Sequence, residues 1–274
     1  MDTFTPQGNA PSLEVLKKDR NGAVAILTLN RPSARNSLSL DLIAALHTAI
    51  QSEGAAADVA AIVIKGAAPA FCAGHDLKEM TARRQDEDRG RDFFHRAMRA
   101  CSALMQAIMA CPKPVIAAVN GIATAAGCQL VASCDLAIAG ESAQFATPGV
   151  NIGLFCSTPM VALSRNVSRK AAMEMLLLGE MVTAAKAREL GLVNQVVADA
   201  DVTAEAIAIA EKIASKSPLA LAIGKKAFYA QIEMPLAQAY DYAADVMVEN
   251  MLARDAQEGI GAFIEKRSPK WTGS

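Results

Sequence analysis

The segment GIATAAGCQLVASCD, residues 121–135, indicates most about how this chain folds. It follows an apolar run at residues 115–120 whose composition predicts a buried strand. The small residues 125–127 predict a tight turn into a helix that continues through Ser133, and residues 135–139 predict the next strand. A strand, a helix and a second strand in this order are typical of a layered α/β fold.

A second segment of small residues has the same character. Ala73-Gly74-His75 follows a predicted strand at 60–65 and leads into a predicted helix at Asp76. Small side chains let a ligand touch the main chain, and helix N-termini present unpaired N–H groups with positive dipole character. Two such groups aimed at one carbonyl oxygen form an oxyanion hole. Close packing of a helix on a strand also explains small residues, so the residues alone leave both interpretations open.

The N-terminal part of the chain predicts a hairpin followed by a helix. Residues 13–18 and 23–30 alternate like strands, and Asn21-Gly22 between them is a turn signal. Residues 39–53 then place apolar side chains at helical spacing, with Ser39 available as the N-cap. Strands and helices continue to alternate up to a predicted strand at 192–197.

The pattern changes after residue 198, because strand signals stop and only helical spacing remains. The predicted helical segments lie at 201–216, 218–230, 235–252 and 255–267. We therefore expect a core domain over residues 1–198 and a C-terminal helical region over residues 199–274.

Composition narrows the class of function. The 274 residues carry a net charge of −1, which gives no reason to expect nucleic acid as a partner. The six cysteines show no CxxC spacing and are expected to be reduced and mostly buried, and three histidines argue against a multi-His metal site. Residues 1–13 lack the features of a targeting sequence, and no apolar run is long enough for a membrane span. The sequence therefore predicts a cytoplasmic protein without a membrane partner.

Several motifs in order carry a resemblance to a known family. They are LNRP at 29–32, FCAGHDLKEM at 71–80, KPVIAAVNG at 113–121, AAGCQLVASCD at 125–135 and EGIGAFIEKRSPKW at 258–271. Together they closely resemble the enoyl-CoA hydratase/isomerase, or crotonase, superfamily. Within it the chain is most similar to a subgroup of enoyl-CoA hydratase domain-containing proteins with Gly-His-Asp, Gly-Cys-Gln and Ala-Thr-Pro-Gly.

The resemblance implies an α/β crotonase fold, a spiral of β-β-α units whose C-terminal helices trimerise. The implied partners are an acyl-CoA thioester and further copies of the chain, as a homotrimer or a dimer of trimers. Coenzyme A enters as part of the substrate, and no prosthetic group is implied.

The family's site residues carry over position by position. The oxyanion donors fall on the backbone N–H groups of His75 and Ala126. The implied coenzyme A contacts, made to the adenine, to the phosphates and by a neighbouring subunit, fall on Ala34, Lys78, Phe263 and Lys266.

Two departures from the hydratase pattern bear on the reaction. In hydratases of this family one glutamate follows the Gly-Cys dipeptide and another follows a later Gln-Pro dipeptide, and together they hold and activate water. Gln129 and Gly149 occupy these positions here. An amide orients water but does not take up a proton at neutral pH, and glycine has no side chain. We therefore expect weak hydration, and we expect a Gln129→Glu, Gly149→Glu double variant to gain crotonyl-CoA hydration.

Other residues are candidates for the missing chemistry. His75 is either a catalytic base or a hydrogen-bonding wall residue, since imidazole titrates near neutral pH. Asp76 fits a helix cap. Cys156 and Ser157 lie where some relatives carry an aspartate, and Cys156 is either a small wall residue or a nucleophile without an evident base. Double-bond isomerisation, thioester hydrolysis and non-catalytic acyl-CoA binding remain alternatives to hydration.

Overall fold

The computed structural model describes residues 14–274. The expected absence of a targeting sequence over residues 1–13, and the first residue of the predicted hairpin, lie outside the described residues. The strands are β1 (Leu16–Asn21), β2 (Val24–Leu29), β3 (Ala61–Gly66), β4 (Val115–Val119), β5 (Ile122–Thr124), β6 (Leu136–Gly140), β7 (Gln144–Ala146), β8 (Val182–Thr183) and β9 (Gln195–Val197).

The α-helices cover most of the remaining chain. They are α1 (Leu40–Ala55), α2 (Leu77–Ala82), α3 (Arg91–Ala110), α4 (Ala126–Ser133), α5 (Pro159–Asn166), α6 (Arg169–Leu178), α7 (Ala184–Leu190), α8 (Val202–Ala214), α9 (Pro218–Gln231), α10 (Leu236–Leu252) and α11 (Arg254–Glu265). Short 3₁₀ helices span Pro32–Ala34, Arg83–Gln85 and Pro148–Ile152.

The strands form two sheets. The larger sheet has the order β1-β2-β3-β4-β6-β9, in which β1 is antiparallel to β2 and every other neighbouring pair is parallel. The smaller sheet has the order β5-β7-β8. Asn21 pairs with Val24, so the hairpin is confirmed, but its turn is Gly22-Ala23 with Gly22 at φ +54°, one residue later than the Asn-Gly signal.

Both faces of the larger sheet are covered by helices. On one face, Leu27 and Ile64 pack into the main core with side chains of α1, α3 and α4. On the other face, Val63 and Ile116 pack against Val202 and the alanines that follow it on α8. Helix α8 is thus part of the layered core. The division at residue 198 stays a prediction, although α8 packs on the sheet and does not stand apart from it.

A buried ion pair fixes α9 to this core. Lys225 Nζ donates to Asp135 Oδ2 at 2.6 Å and to the carbonyl oxygens of Ile108 and Lys113 at 2.9 and 3.0 Å. Tyr229 Oη donates to Asp135 Oδ1 at 2.9 Å. The predicted C-terminal helices are confirmed, and α11 packs against α9 and α10.

The six cysteines are buried and unpaired, as predicted. Burial raises the pKa of their thiols, so these groups are protonated at neutral pH. Among the helices formed by residues 14–274, none has both the length and the apolar character required to cross a bilayer.

Candidate functional site

The two small-residue segments lie against each other in the structure. Cys72 pairs with the smaller sheet, since its N–H donates to the Ile122 carbonyl at 3.0 Å and its carbonyl accepts from Thr124 N–H at 2.9 Å. Next along the chain, a Cβ placed on Gly74 would lie 3.0 Å from Ala125 Cβ. The turns that precede α2 and α4 are therefore in contact, so the close-packing interpretation of the small residues is confirmed, and the interpretation as main-chain donors stays a prediction.

The N–H groups of His75 and Ala126 are the donors that this contact leaves available. Leu38 forms a parallel β-bridge with His75: its N–H donates to the Gly74 carbonyl, and its carbonyl accepts from the Asp76 N–H. The N–H of His75 itself therefore points away from Leu38. Ala126 is the first residue of α4 and has no acceptor one turn earlier. Within residues 14–274 neither N–H donates a hydrogen bond, which leaves both free to bind a ligand oxygen.

The turn before α4 is strained and held by packing. Ala125 has φ +50° and ψ −116°, a conformation that costs a residue with a side chain about 1–3 kcal/mol. Its N–H donates to the Ala146 carbonyl at 2.9 Å, which fixes the turn to β7. Gly127 lets α4 approach the other segment, because a Cβ there would lie 2.1 Å from the Cys72 carbonyl oxygen.

This packing predicts opposite effects on stability when two helical glycines are replaced by alanine. Gly127→Ala is expected to lower the free energy of unfolding by about 1–3 kcal/mol, because α4 must move away from Cys72. Gly224→Ala in α9 meets no atom within 4 Å and is expected to raise it by about 0.5–1 kcal/mol. Urea denaturation measures both, and two changes of the same sign would contradict the packing.

The two ring nitrogens of His75 are buried, although the residue as a whole is partly exposed. Neither Nδ1 nor Nε2 makes a hydrogen bond within residues 14–274. Burial lowers the pKa of His75 to about 4 and outweighs the Leu38 backbone, which acts to raise it, so the imidazole is uncharged at neutral pH. A base with this pKa is weak at neutral pH, which favours a hydrogen-bonding role for His75 over proton abstraction.

Asp76 caps α2, the role expected from the sequence. Its Oδ1 accepts from the N–H groups of Lys78 and Glu79 at 3.1 and 3.2 Å, and its Oδ2 accepts from Arg31 Nη2 at 2.7 Å. Partial burial acts to raise the pKa of Asp76, but the Arg31 side chain and the two amides outweigh it and hold the pKa below its ordinary value.

This pKa shift predicts a pH-dependent stability. Asp76→Ala is expected to lower the free energy of unfolding by about 1 kcal/mol at pH 7, whereas Asp76→Asn keeps a capping oxygen and loses less. Because the folded pKa lies below the unfolded one, the stabilisation is present above about pH 4 and is lost as the pH falls through the folded pKa. Denaturation curves at several pH values test this, and a pH-independent difference would contradict it.

Gln129 and Gly149 differ in how easily a carboxylate could replace them. Gln129 is 4% exposed, and its Oε1 lies 4.0 Å from Cys101 Sγ. A Cβ on Gly149 would lie 2.9 Å from Cys156 Sγ and 3.0 Å from the Leu154 carbonyl oxygen. Glutamate at residue 149 therefore requires the Cys156 side chain to move. The Gln129→Glu, Gly149→Glu double variant expected from the sequence would introduce this steric contact.

Cys156 and Ser157 differ in their exposure to solvent. Cys156 is buried, and burial raises the pKa of its thiol, so it is not an activated nucleophile. Ser157 is exposed. Pro159 occupies the first position of α5, and Thr158 before it makes no side-chain capping hydrogen bond.

The expected coenzyme A residues fall into two groups. Ala34 and Lys78 lie near the unpaired N–H groups of His75 and Ala126, since the Ala73 N–H donates to the Arg35 carbonyl at 3.0 Å and Lys78 is exposed in the first turn of α2. Phe263 and Lys266 lie on α11 and at its end, where both side chains are exposed and nothing joins them to the donors within residues 14–274. A role for this second pair requires another subunit.

Sequence reasoning missed two residues that shape the site. Arg31 connects the segment after β2 to the cap of α2, and Thr147 is fully buried between β7 and the 3₁₀ helix at Pro148–Ile152. Both residues lie in motifs quoted from the sequence, LNRP and Ala-Thr-Pro-Gly, but the motifs do not indicate what either side chain contacts.

Known proteins show the same fold over nearly the whole chain. Mouse enoyl-CoA hydratase domain-containing protein 3, mitochondrial, is 44% identical over 267 residues, which cover 97% of this chain and 87% of that protein. The crystal structure of an enoyl-CoA hydratase from Mycobacterium smegmatis matches with TM-score 0.89 and 49% identity, covering 94% and 99% of the two chains. The structure of human enoyl-CoA hydratase domain-containing protein 3 matches with TM-score 0.89 and 45% identity, covering 94% and 100%.

The predicted cytoplasmic location is contradicted by these relatives. The mouse protein is named as mitochondrial, and so are its rat and human counterparts, which are 45% and 47% identical to this chain. The prediction depended on residues 1–13, and a short segment without targeting features is weak ground for assigning a compartment.

The family model described as enoyl-CoA hydratase/isomerase matches residues 19–274. That range contains the motifs quoted from the sequence, from LNRP at 29–32 to the C-terminal segment at 258–271. The fold is the crotonase fold that the resemblance implied. The chain belongs to the enoyl-CoA hydratase/isomerase family.

Proposed function

We propose that the protein binds an acyl-CoA thioester and polarises its carbonyl through the backbone N–H groups of His75 and Ala126. The observation that carries the proposal is the contact between the two turns, which leaves both donors without a partner in residues 14–274. Donors fixed in this way stabilise negative charge that develops on a carbonyl oxygen. Membership of the family supports acyl-CoA as the ligand class and enzymatic activity as its use.

The reaction that we propose is enoyl-CoA hydratase-like, with weak hydration. Gln129 does not exchange a proton, Gly149 has no side chain, and the low pKa of His75 makes it a poor base at neutral pH. Enolate stabilisation by the two N–H groups is the chemistry left to the site, so double-bond isomerisation and thioester hydrolysis remain alternatives.

A second candidate function is non-catalytic binding of acyl-CoA. It is favoured by one observation: burial holds the pKa of His75 near 4, so the imidazole beside the donors is not poised for proton transfer at neutral pH. Such a protein would bind thioesters through the same N–H groups and release them unchanged.

The C-terminal helices support assembly with further copies of the chain. Exposed apolar side chains are concentrated on α10 and α11, where Phe263 is 84% exposed. Large exposed apolar patches are typical of interfaces. We propose a homotrimer or a dimer of trimers, in which Phe263 and Lys266 contact coenzyme A held by a neighbouring subunit. Sedimentation measurements test this assembly, and a mass that corresponds to a monomer would exclude it.

A panel of acyl-CoA thioesters, with products identified by mass, tests the function. Slow or absent hydration of crotonyl-CoA together with tight binding is the expected result. Turnover of another thioester would identify the reaction, binding without turnover of any would establish the second candidate, and failure to bind any thioester would overturn both.

A further inference from the structure

The face of the larger sheet that α8 covers changes from apolar to polar at one edge. Strand pairing places three apolar side chains of neighbouring parallel strands in one row that packs towards α8: Ile26, Val63 and Ile116. Side chains two residues apart on a strand point to the same face. The next row on this face therefore consists of Thr28, Lys65 and Ala118, which are paired in the same register. This polar row lies at the carboxyl ends of the strands, where open α/β sheets commonly bind ligands.

Four polar side chains line a cavity of about 390 Å³ at this edge: those of Thr28, Lys65, Asn120 and Thr203. Thr28 is 8% exposed, and Lys65 is half-buried. In the part of the chain that the structure describes, Lys65 forms no ion pair and no carboxylate side chain lines the cavity. An ammonium group partly withdrawn from water without a counter-ion favours the binding of an anion.

The Asn120 amide adds a hydrogen-bond donor to the cavity. Its Oδ1 is buried and has no hydrogen-bond partner within residues 14–274. It lies beside a second acceptor, because a Cβ placed on Gly140 would lie 2.8 Å from Asn120 Oδ1 and would also meet Asp199 Oδ1. Two acceptor oxygens do not pair with each other. The polar atom that Asn120 can present to the cavity is therefore Nδ2, and this orientation is favourable when a ligand accepts from it.

The rest of the cavity wall is apolar and fixed in place. It consists of Ala118 and the segment 66–70, whose side chains are small. Asn36 Nδ2 donates to the carbonyl oxygens of Ala67 and Ala70 at 2.7 and 2.6 Å, so the segment is held before any ligand binds. A preformed cavity with apolar walls and a few convergent polar groups is typical of small-molecule sites, and this volume is at the lower end of their range.

We propose that this cavity binds a small aliphatic carboxylate. The carboxylate accepts from Lys65 Nζ, Asn120 Nδ2 and the threonine hydroxyls, and the short hydrocarbon chain contacts the apolar wall. One ammonium group balances the single charge of a carboxylate, whereas a phosphate monoester carries more than one negative charge at neutral pH. The site goes beyond the proposed function, because α4, which begins at Ala126, packs in the core on the opposite face of the sheet.

Butyrate and butyramide test the proposal, because they differ in charge but hardly in size. In NMR titrations of the full-length protein, butyrate is expected to bind at least about tenfold more tightly, the effect of one hydrogen bond to a charged group. Lys65→Met removes the ammonium group at similar length and is expected to abolish this preference. Lys212→Met is the matched control, since Lys212 is exposed in the last turn of α8 and does not line the cavity; it is expected to keep the preference.

A second variant keeps the test decisive if Lys65→Met does not fold. Thr28→Val, similar in shape, is expected to weaken butyrate binding, and circular dichroism shows whether each variant is folded. Equal binding of butyrate and butyramide, or no binding of butyrate, would overturn the proposal, as expected if the Asn120 amide turns its Nδ2 towards Asp199. A preference that Lys65→Met and Lys212→Met reduce equally would reflect a general effect of charge and would also overturn it.

Discussion

A triple variant, Gln129→Glu, Gly149→Glu, Cys156→Ala, is expected to hydrate crotonyl-CoA at least about 100-fold faster than the wild-type protein, since one general acid–base group contributes about 10²–10⁴-fold. The first two changes restore the carboxylates that take up and return the protons of water. The third change removes Cys156 Sγ, which lies 2.9 Å from the position that a Cβ on residue 149 would occupy.

The variants without Cys156→Ala are the matched controls. The Gln129→Glu, Gly149→Glu double variant is expected to gain less, because the glutamate introduced at residue 149 then competes with the thiol for the same space. Even in the triple variant the Leu154 carbonyl lies 3.0 Å from the new Cβ and must shift slightly. If the triple variant folds and binds crotonyl-CoA yet hydrates it no faster than wild type, the missing carboxylates do not explain the weak hydration.

Local patterns were enough to predict the larger elements of the fold. Small residues at 125–127, helical spacing after Ser39 and the strand-free segment after residue 198 predicted α4, α1 and the C-terminal helices. The smaller sheet was not predicted, because β5 and β7 have three residues each and β8 has two, too few to show alternation. Such short strands are defined by their partners and not by their own sequence.

The candidate site was predictable only as far as its backbone. Small residues at 73–75 and 125–127 indicated main-chain donors, and the structure brings these segments into contact. The low pKa of His75 and the contact of Cys156 with Gly149 depend on what packs around each residue, which no local pattern contains. The lack of a hydrogen-bond partner for Thr147 Oγ1 within residues 14–274 depends on the same packing.

Ala126→Pro is expected to reduce any turnover by about 10²–10³-fold, the loss that follows removal of one oxyanion-hole donor. Proline has no N–H, and its ring occupies the position of the lost proton, so a thioester oxygen can no longer approach. Ala126 is the first residue of α4, where proline suits the helix itself. The ring also restricts Ala125, whose φ +50° and ψ −116° lie outside the extended region favoured before proline, so a loss of stability is expected as well. If the protein shows no turnover, the ultraviolet absorption of bound cinnamoyl-CoA is measured instead. Polarisation of the carbonyl of a conjugated thioester shifts this absorption to longer wavelength.

Ala184→Pro is the matched control, because Ala184 is also fully buried and also begins a helix, α7, while lying in a different part of the chain. Both variants introduce the same ring at the same helical position, so a general cost of buried proline would appear in both denaturation curves. Only Ala126→Pro adds strain at the preceding residue, because Thr183 before Ala184 is already extended and Ala125 is not. Only Ala126→Pro is expected to abolish the absorption shift and to reduce any turnover by about 10²–10³-fold. If folded Ala126→Pro keeps both, the Ala126 N–H does not contact the thioester oxygen, and the oxyanion site must be assigned to other donors.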